Sequence, residues 1–137
     1  VSSIASAVTD TNVVVSAIVS PRSVPALALE SLRKRYRVLA SFETLAELHE
    51  VVVREKFSKV PLADREALFT EYMEAVEIVR PTILVKACRH PKDDKFLSLA
   101  VSGGANLILT GDNDLLVLHP FRNIDILTAK QYLDREQ

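Results

Sequence analysis

The chain alternates short apolar, β-branched runs with segments of helical spacing, and that alternation limits the fold more than any other feature. Residues 4–9 form such a run and stop at Asp10-Thr11-Asn12; residues 106–110 form another and stop at Gly111-Asp112-Asn113-Asp114. Residues 37–40 and 124–127 are two more. Strands separated by helices imply right-handed crossovers and a mostly parallel sheet covered on both faces. With 137 residues, 48% of them hydrophobic and only three Gly, the chain is one domain over residues 1–137, which excludes disorder and low-complexity architecture.

The helices have local marks. Residues 13–19 open the first, after the strand. Ser20-Pro21-Arg22-Ser23 breaks it, and apolar residues from Val24 to Leu32 build a second, up to the basic run Arg33-Lys34-Arg35. Ser41 is placed to cap a third, whose stripe is Leu45, Leu48 and Val52. Pro61 stands as a first-turn proline of a helix over 61–76, and residues 79–85 read as extended or loop. A helix over 93–102 stops at Gly103-Gly104, a short one spans 112–118, and Thr128 with Gln131 makes a capping box for the last.

Four acidic positions converge in this scheme. Asp10 and Asp112 follow strand ends, while Glu43/Glu47 and Asp93/Asp94 lie in or near the first turns of helices. In a parallel sheet these ends share one rim, where sites form. Two unit charges ~4 Å apart cost about 4 kcal/mol at an effective dielectric near 20. Raised pKa values, basic partners or a divalent cation relieve that cost. Lys92, Lys95 and Arg54 are the few flanking bases, so a hard cation, Mg²⁺ or Mn²⁺, is the natural remedy. Each acid also has a plainer role: Asp10 as a turn or cap residue, Glu47 in a T-x-x-E capping box with Thr44, Asp93 as an N-cap, Asp112 and Asp114 as turn chemistry. Glu47 lies away from its own helix's apolar stripe, whereas Asp93 heads the stripe of Phe96, Leu97 and Ala100.

Other chemistries lack support. His49, His90 and His119 have no zinc-like spacing, and the single Cys88 reads as a small buried residue, consistent with a reducing cytoplasm. Dinucleotide, P-loop and serine-hydrolase motifs are missing from the sequence. The formal net charge of −1 excludes binding through global positive charge, so nucleic acid would be met through a local basic patch, such as Arg33–Arg37, or through cations. The longest apolar stretch, interrupted by Ser16, is too short for a bilayer, so no membrane association is expected, and V-S-S-I-A-S-A-V does not read as a signal peptide.

The segments V-T-D-T-N-V-V-V-S-A, T-L-A-E-L-H-E-V-V-V-R, D-D-K-F-L-S-L-A and L-I-L-T-G-D-N-D-L-L, in this order, resemble the PIN domain, closest to the group of toxin components of toxin–antitoxin pairs. The resemblance runs from Ile4 to Leu133. It implies a three-layer α/β/α fold and a metal-dependent endoribonuclease of the cytoplasm. Its catalytic and metal-ligand positions fall on Asp10, Glu47, Asp93 and Asp112, with Asp114 as a further ligand and Asn12, Ser16 and Thr110 as supporting polar residues. It implies one or two Mg²⁺ or Mn²⁺ ions, water attacking a phosphodiester of single-stranded RNA, a cognate antitoxin protein, and a homodimer or higher homo-oligomer. The helices at 23–32 and 62–76 offer a self-association surface, or are ordinary core. Three positions depart from the family pattern: Thr9 where an aliphatic residue is usual, His90 where Asp is frequent, and Asp94 where Asn is common. Two rival readings are a catalytically inactive PIN-like scaffold and a metal-dependent phosphatase, although Asp10-Thr11-Asn12 lacks the D-x-D of the latter.

Overall fold

The computed structural model describes residues 4–136; Val1–Ser3 of the opening segment and Gln137 lie outside the described residues. Five parallel strands form one sheet: β1 (Ser6–Thr9), β2 (Arg37–Ala40), β3 (Glu77–Ile78), β4 (Leu107–Leu109) and β5 (Asp125–Leu127). Their spatial order is β3-β2-β1-β4-β5. In register, Val8 pairs with Leu39 on one side and Ile108 on the other, and Ile108 pairs with Ile126. The order reverses at β1, whose neighbours β2 and β4 lie on opposite sides. The gap beyond the carboxyl ends of β1 and β4 is therefore a topological switch point, where such sheets place their sites.

Among the described residues, seven α-helices accompany the sheet: α1 (Thr11–Val19), α2 (Val24–Arg35), α3 (Phe42–Val52), α4 (Leu62–Ala75), α5 (Asp94–Gly103), α6 (Asn113–Leu116) and α7 (Ala129–Glu136). Alternation along the strands sorts their side chains to two faces. Ala7, Val38, Ala40, Leu107 and Leu109 join a core with residues of α1, α2, α3, α4 and α7. Val8, Leu39, Ile108 and Ile126 join a second core with Phe96, Leu97, Leu99 and Ala100 of α5 and Leu115 of α6. The result is the three-layer α/β/α arrangement expected from the sequence. No single helix among the described residues is long and apolar enough to cross a membrane.

The local marks hold in several places. Ser41 Oγ accepts from the Thr44 N–H while Thr44 Oγ1 accepts from the Ser41 N–H. Thr128 and Gln131 exchange the equivalent pair before α7. Gly104 ends α5 at φ 68°, a left-handed conformation that Gly adopts without steric cost. Other expectations need correction. Helix α1 begins at Thr11 rather than Val13, because Asp10 remains extended and acts as its N-cap position. Pro61 is the N-cap of α4 and not its first helical residue. Ile4 is outside β1 and exposed. The segment read only as extended or loop over 79–85 is preceded by a true strand, β3, whose two residues pair with Leu39 and Ala40 at the sheet edge.

Candidate active site at the carboxyl rim of the sheet

Asp10 leaves β1 with its N–H still in the sheet, donating to the Leu109 carbonyl at 2.8 Å. That bond fixes the residue across from β4 and turns its side chain onto the rim, where it is only 5% exposed. Thr110, fully buried at the end of β4, links the two strands chemically. Its hydroxyl donates to Asp10 Oδ2 at 2.7 Å and accepts from the Asp112 N–H at 3.0 Å. One hydroxyl thus positions two acids. Asp112 caps α6, its Oδ1 accepting from the Asp114 N–H at 2.9 Å.

Asp93 arrives from the other core face. A 3₁₀ turn, Pro91–Asp93, precedes α5 and brings it to the rim. Asp93, Asp112 and Asp114 each present a carboxylate oxygen within 4.8 Å of the other two. Burial and the neighbouring Asp112 push the Asp93 carboxyl up to about 6, with Asp10 adding to the shift and Lys95 opposing it. Burial likewise raises Asp10; Thr110's hydrogen bond works against the rise, and the charges of Asp112 and Glu47 reinforce it. Burial and the proximity of like charges thus both disfavour ionisation at this rim.

Glu47 reaches the same region differently. With Ser41 and Thr44 forming the capping box, Glu47 takes no part in one, contrary to its plainer reading. Its two oxygens are engaged by the Thr11 hydroxyl and by Lys95 Nζ, the latter at 2.7 Å. Glu47 is near enough to Asp10 to raise its pKa, but it does not share the close triad of Asp93, Asp112 and Asp114. Asn12 is exposed and Ser16 half-buried, one turn apart on α1. Among the described residues, neither side chain hydrogen-bonds an acid of the rim. The Asn12 contribution is its backbone N–H, which favours the ionised form of Asp10.

Thr11 was missed as a participant, and His90 and Asp94, both named from the sequence, have partners that the sequence did not show. Thr11 follows Asp10 directly, so the position was visible although its reach to Glu47 was not. His90 Nε2 lies 3.4 Å from Asp114 Oδ2, which gives this departure from the family pattern a partner. Asp94 Oδ1 accepts from the Ala87 and Cys88 N–H groups at 3.0 and 2.8 Å, tying down the loop before α5. Cys88 is half-buried, and its thiol is pushed up to about 12, chiefly by burial and then by Asp94. Arg54, expected as a flanking base, pairs instead with Glu50 at 3.9 Å. Lys92 contributes a carbonyl, not its charge, by accepting from Lys95 Nζ.

Residues 6–114 match the PIN domain family. The chain belongs to the PIN domain family. Membership supports a nuclease activity; PIN domains generally depend on divalent metal, and an acidic cluster is present at this rim. The uncharacterised protein MJ1680 of Methanocaldococcus jannaschii is 30% identical over 114 residues, covering 81% of this chain and 73% of the relative. Among solved structures, PAE2754 from Pyrobaculum aerophilum superposes with a TM-score of 0.63 at 15% identity, over 98% of this PIN chain and 91% of the other. A chain of VapBC2 from Rickettsia felis, solved bound to a DNA fragment from their promoter, superposes with a TM-score of 0.61 at 19% identity, covering 88% and 96%. These likenesses establish the fold.

Proposed function

We propose that this PIN domain is a divalent-metal-dependent endoribonuclease, the toxin of a type II toxin–antitoxin pair. The observation that carries the reading is Asp10: a carboxylate 5% exposed, locked by Thr110, and set among like charges with no ion-pair partner among the described residues. Nothing in ordinary folding favours such a residue, since an unpaired buried charge is destabilising. An acidic rim that must hold a cation accounts for it.

The donor set fits the ion. Asp93, Asp112 and Asp114 are hard oxygen ligands at mutual distances a single ion can bridge, and Asp10 adjoins Asp112 through Thr110. Asp10, Asp93, Asp112 and Asp114 would hold Mg²⁺ or Mn²⁺. Bound there, the ion would activate water toward a phosphodiester and neutralise charge on the departing oxygen. The protein's own residues orient: Thr110 fixes Asp10, the α6 N-cap fixes Asp112, and Lys95 with Thr11 fixes Glu47. Their preorganisation avoids reorganisation during reaction. Single-stranded RNA suits an open rim, because its backbone can approach without a duplex to part.

The likeness to a chain of VapBC2 supports a partner protein for this chain. We assign that partner as an antitoxin that covers the rim. Exposed Val24 and Leu27 on α2, with Leu62, Leu68 and Met73 on α4, leave apolar surface for a homodimer or higher homo-oligomer.

Purified protein tests the assignment directly. With Mn²⁺ it should cut pooled single-stranded RNA, and EDTA should stop it. Asp10→Asn should lower the rate by more than the ~10–100-fold typical of losing a residue that merely supports a metal ligand. Wild type and Asp10→Asn equally silent with Mn²⁺ would leave the scaffold reading, which one observation favours: Asp112 already has a structural duty as the α6 cap.

A further inference from the structure

Lys95 stands where helix physics disfavours it. It occupies the first turn of α5, at the positive end of the helix dipole, where an ammonium is unfavourable. Its side chain is nonetheless only 9% exposed. Its Nζ lies over the Phe96 ring, 5.2 Å from the centroid. Nζ contacts Glu47 Oε1 at 2.7 Å and donates to the Lys92 carbonyl. The other Glu47 oxygen accepts from Thr11. A buried ammonium is kept at a helix N-terminus only by strong local negative charge, and this rim supplies it.

We propose that Lys95 is a fixed internal cation that takes the place of a second divalent ion, so that the rim binds one metal ion and not two. The inference rests on the metal-dependent reading above. Each Glu47 oxygen already has a partner, one of them an ammonium, and Glu47 stands outside the close set of Asp93, Asp112 and Asp114. A second divalent ion seated on Glu47 would have to displace the Lys95 ammonium or lie against it, and like charges at that range repel strongly. Glu47 is accordingly a positioning residue. It anchors Lys95, and Lys95 keeps positive charge at the Glu47 side of the rim, close enough to Asp93 to favour its ionised form. A lysine cannot be lost to chelators or diluted away, so the rim's charge balance then depends on one exchangeable ion only.

Counting bound Mn²⁺ tests this without any activity measurement. Calorimetric titration and electron paramagnetic resonance of free Mn²⁺ should give one ion per chain for wild type. Lys95→Met, checked for native circular dichroism, should rise to two, because Glu47 becomes a ligand. Lys95→Arg keeps the charge and should remain at one, and the double variant Lys95→Met/Glu47→Gln should return to one. Should Lys95→Met fail to fold, Lys95→Gln serves in its place with the same expected count. Two ions on wild type, or one on the folded Lys95→Met protein, overturns the proposal and leaves the nuclease reading standing. No Mn²⁺ on wild type overturns both.

Discussion

Thr110 carries more of this site than its size suggests. Its single hydroxyl, itself fully buried, satisfies Asp10 Oδ2 and the Asp112 N–H at once. Thr110→Val keeps the shape and removes both bonds. The expected cost is roughly 1–3 kcal/mol for a buried polar group left without a partner, measured by urea unfolding. Asp10 should also protonate more readily, since the bond that favours its ionised form is gone. Two departures from the family pattern resolve at this scale. Thr9, where an aliphatic residue is usual, places its hydroxyl 2.7 Å from Tyr72 OH, a buried phenol on α4 raised to about 12 by burial. Asp94 serves the loop, not the acid cluster. Neither partner is within sixty residues or one turn respectively in a way that a periodicity could reveal, since |i−j| is 63 for Thr9 and Tyr72.

Elements deliver the acids to the rim, and α5 shows how narrow the tolerance is. Gly103, in its last turn, faces β2 so closely that an added Cβ would lie 2.5 Å from Leu39 Cδ1. Leu39 is 2% exposed, so its side chain would have to repack inside the core to make room. Gly103→Ala should therefore destabilise by about 1–3 kcal/mol through overpacking. Tilting α5 away from β2 would also move Asp93 at its other end, so weaker Mn²⁺ binding should accompany the loss; calorimetry reads the second effect and thermal unfolding the first. The Gly pair was legible as a helix stop, because a left-handed C-terminal residue has a compositional mark. The close approach of Gly103 to Leu39 was not, because it depends on the distance between α5 and β2. Strand β3 was illegible for a related reason. Two exposed residues have no period, and they become a strand only because the open edge of β2 accepts them.

The whole molecule gathers five carboxylates on one edge of its sheet, and its stability should report that. Burial and Asp112 push the Asp93 carboxyl up to about 6 in the folded chain against an ordinary 3.8, and Asp10 is raised as well. The folded state therefore binds these protons more tightly than the unfolded one. Sign follows by linkage: without metal, the rim's penalty is fully present above about 6, and the fold gains stability as pH falls through that value toward 3.8. Thermal unfolding in EDTA should thus show a higher Tm at pH 5.5 than at pH 7.5, on the order of a few degrees. Saturating Mn²⁺ should erase or reverse the difference, because protons and metal compete for the same carboxylates. A Tm that falls steadily from pH 7.5 to 5.5 in EDTA would show that the acids do not crowd one another.

Strand and helix alternation, the caps at Ser41 and Thr128, the Gly stop and the convergence of acids at strand ends are local properties, written in residues a few positions apart. Chain order alone therefore determined a parallel α/β fold with an acidic rim. Which carboxylates meet was decided in three dimensions. Asp10 and Thr110 are 100 residues apart, and only the adjacency of β1 and β4 makes them partners. The same folding gave Glu47 to Lys95 and Thr11 and left Asp93, Asp112 and Asp114 together. Charge pairing falls off over a few ångströms, a scale that sequence spacing does not measure.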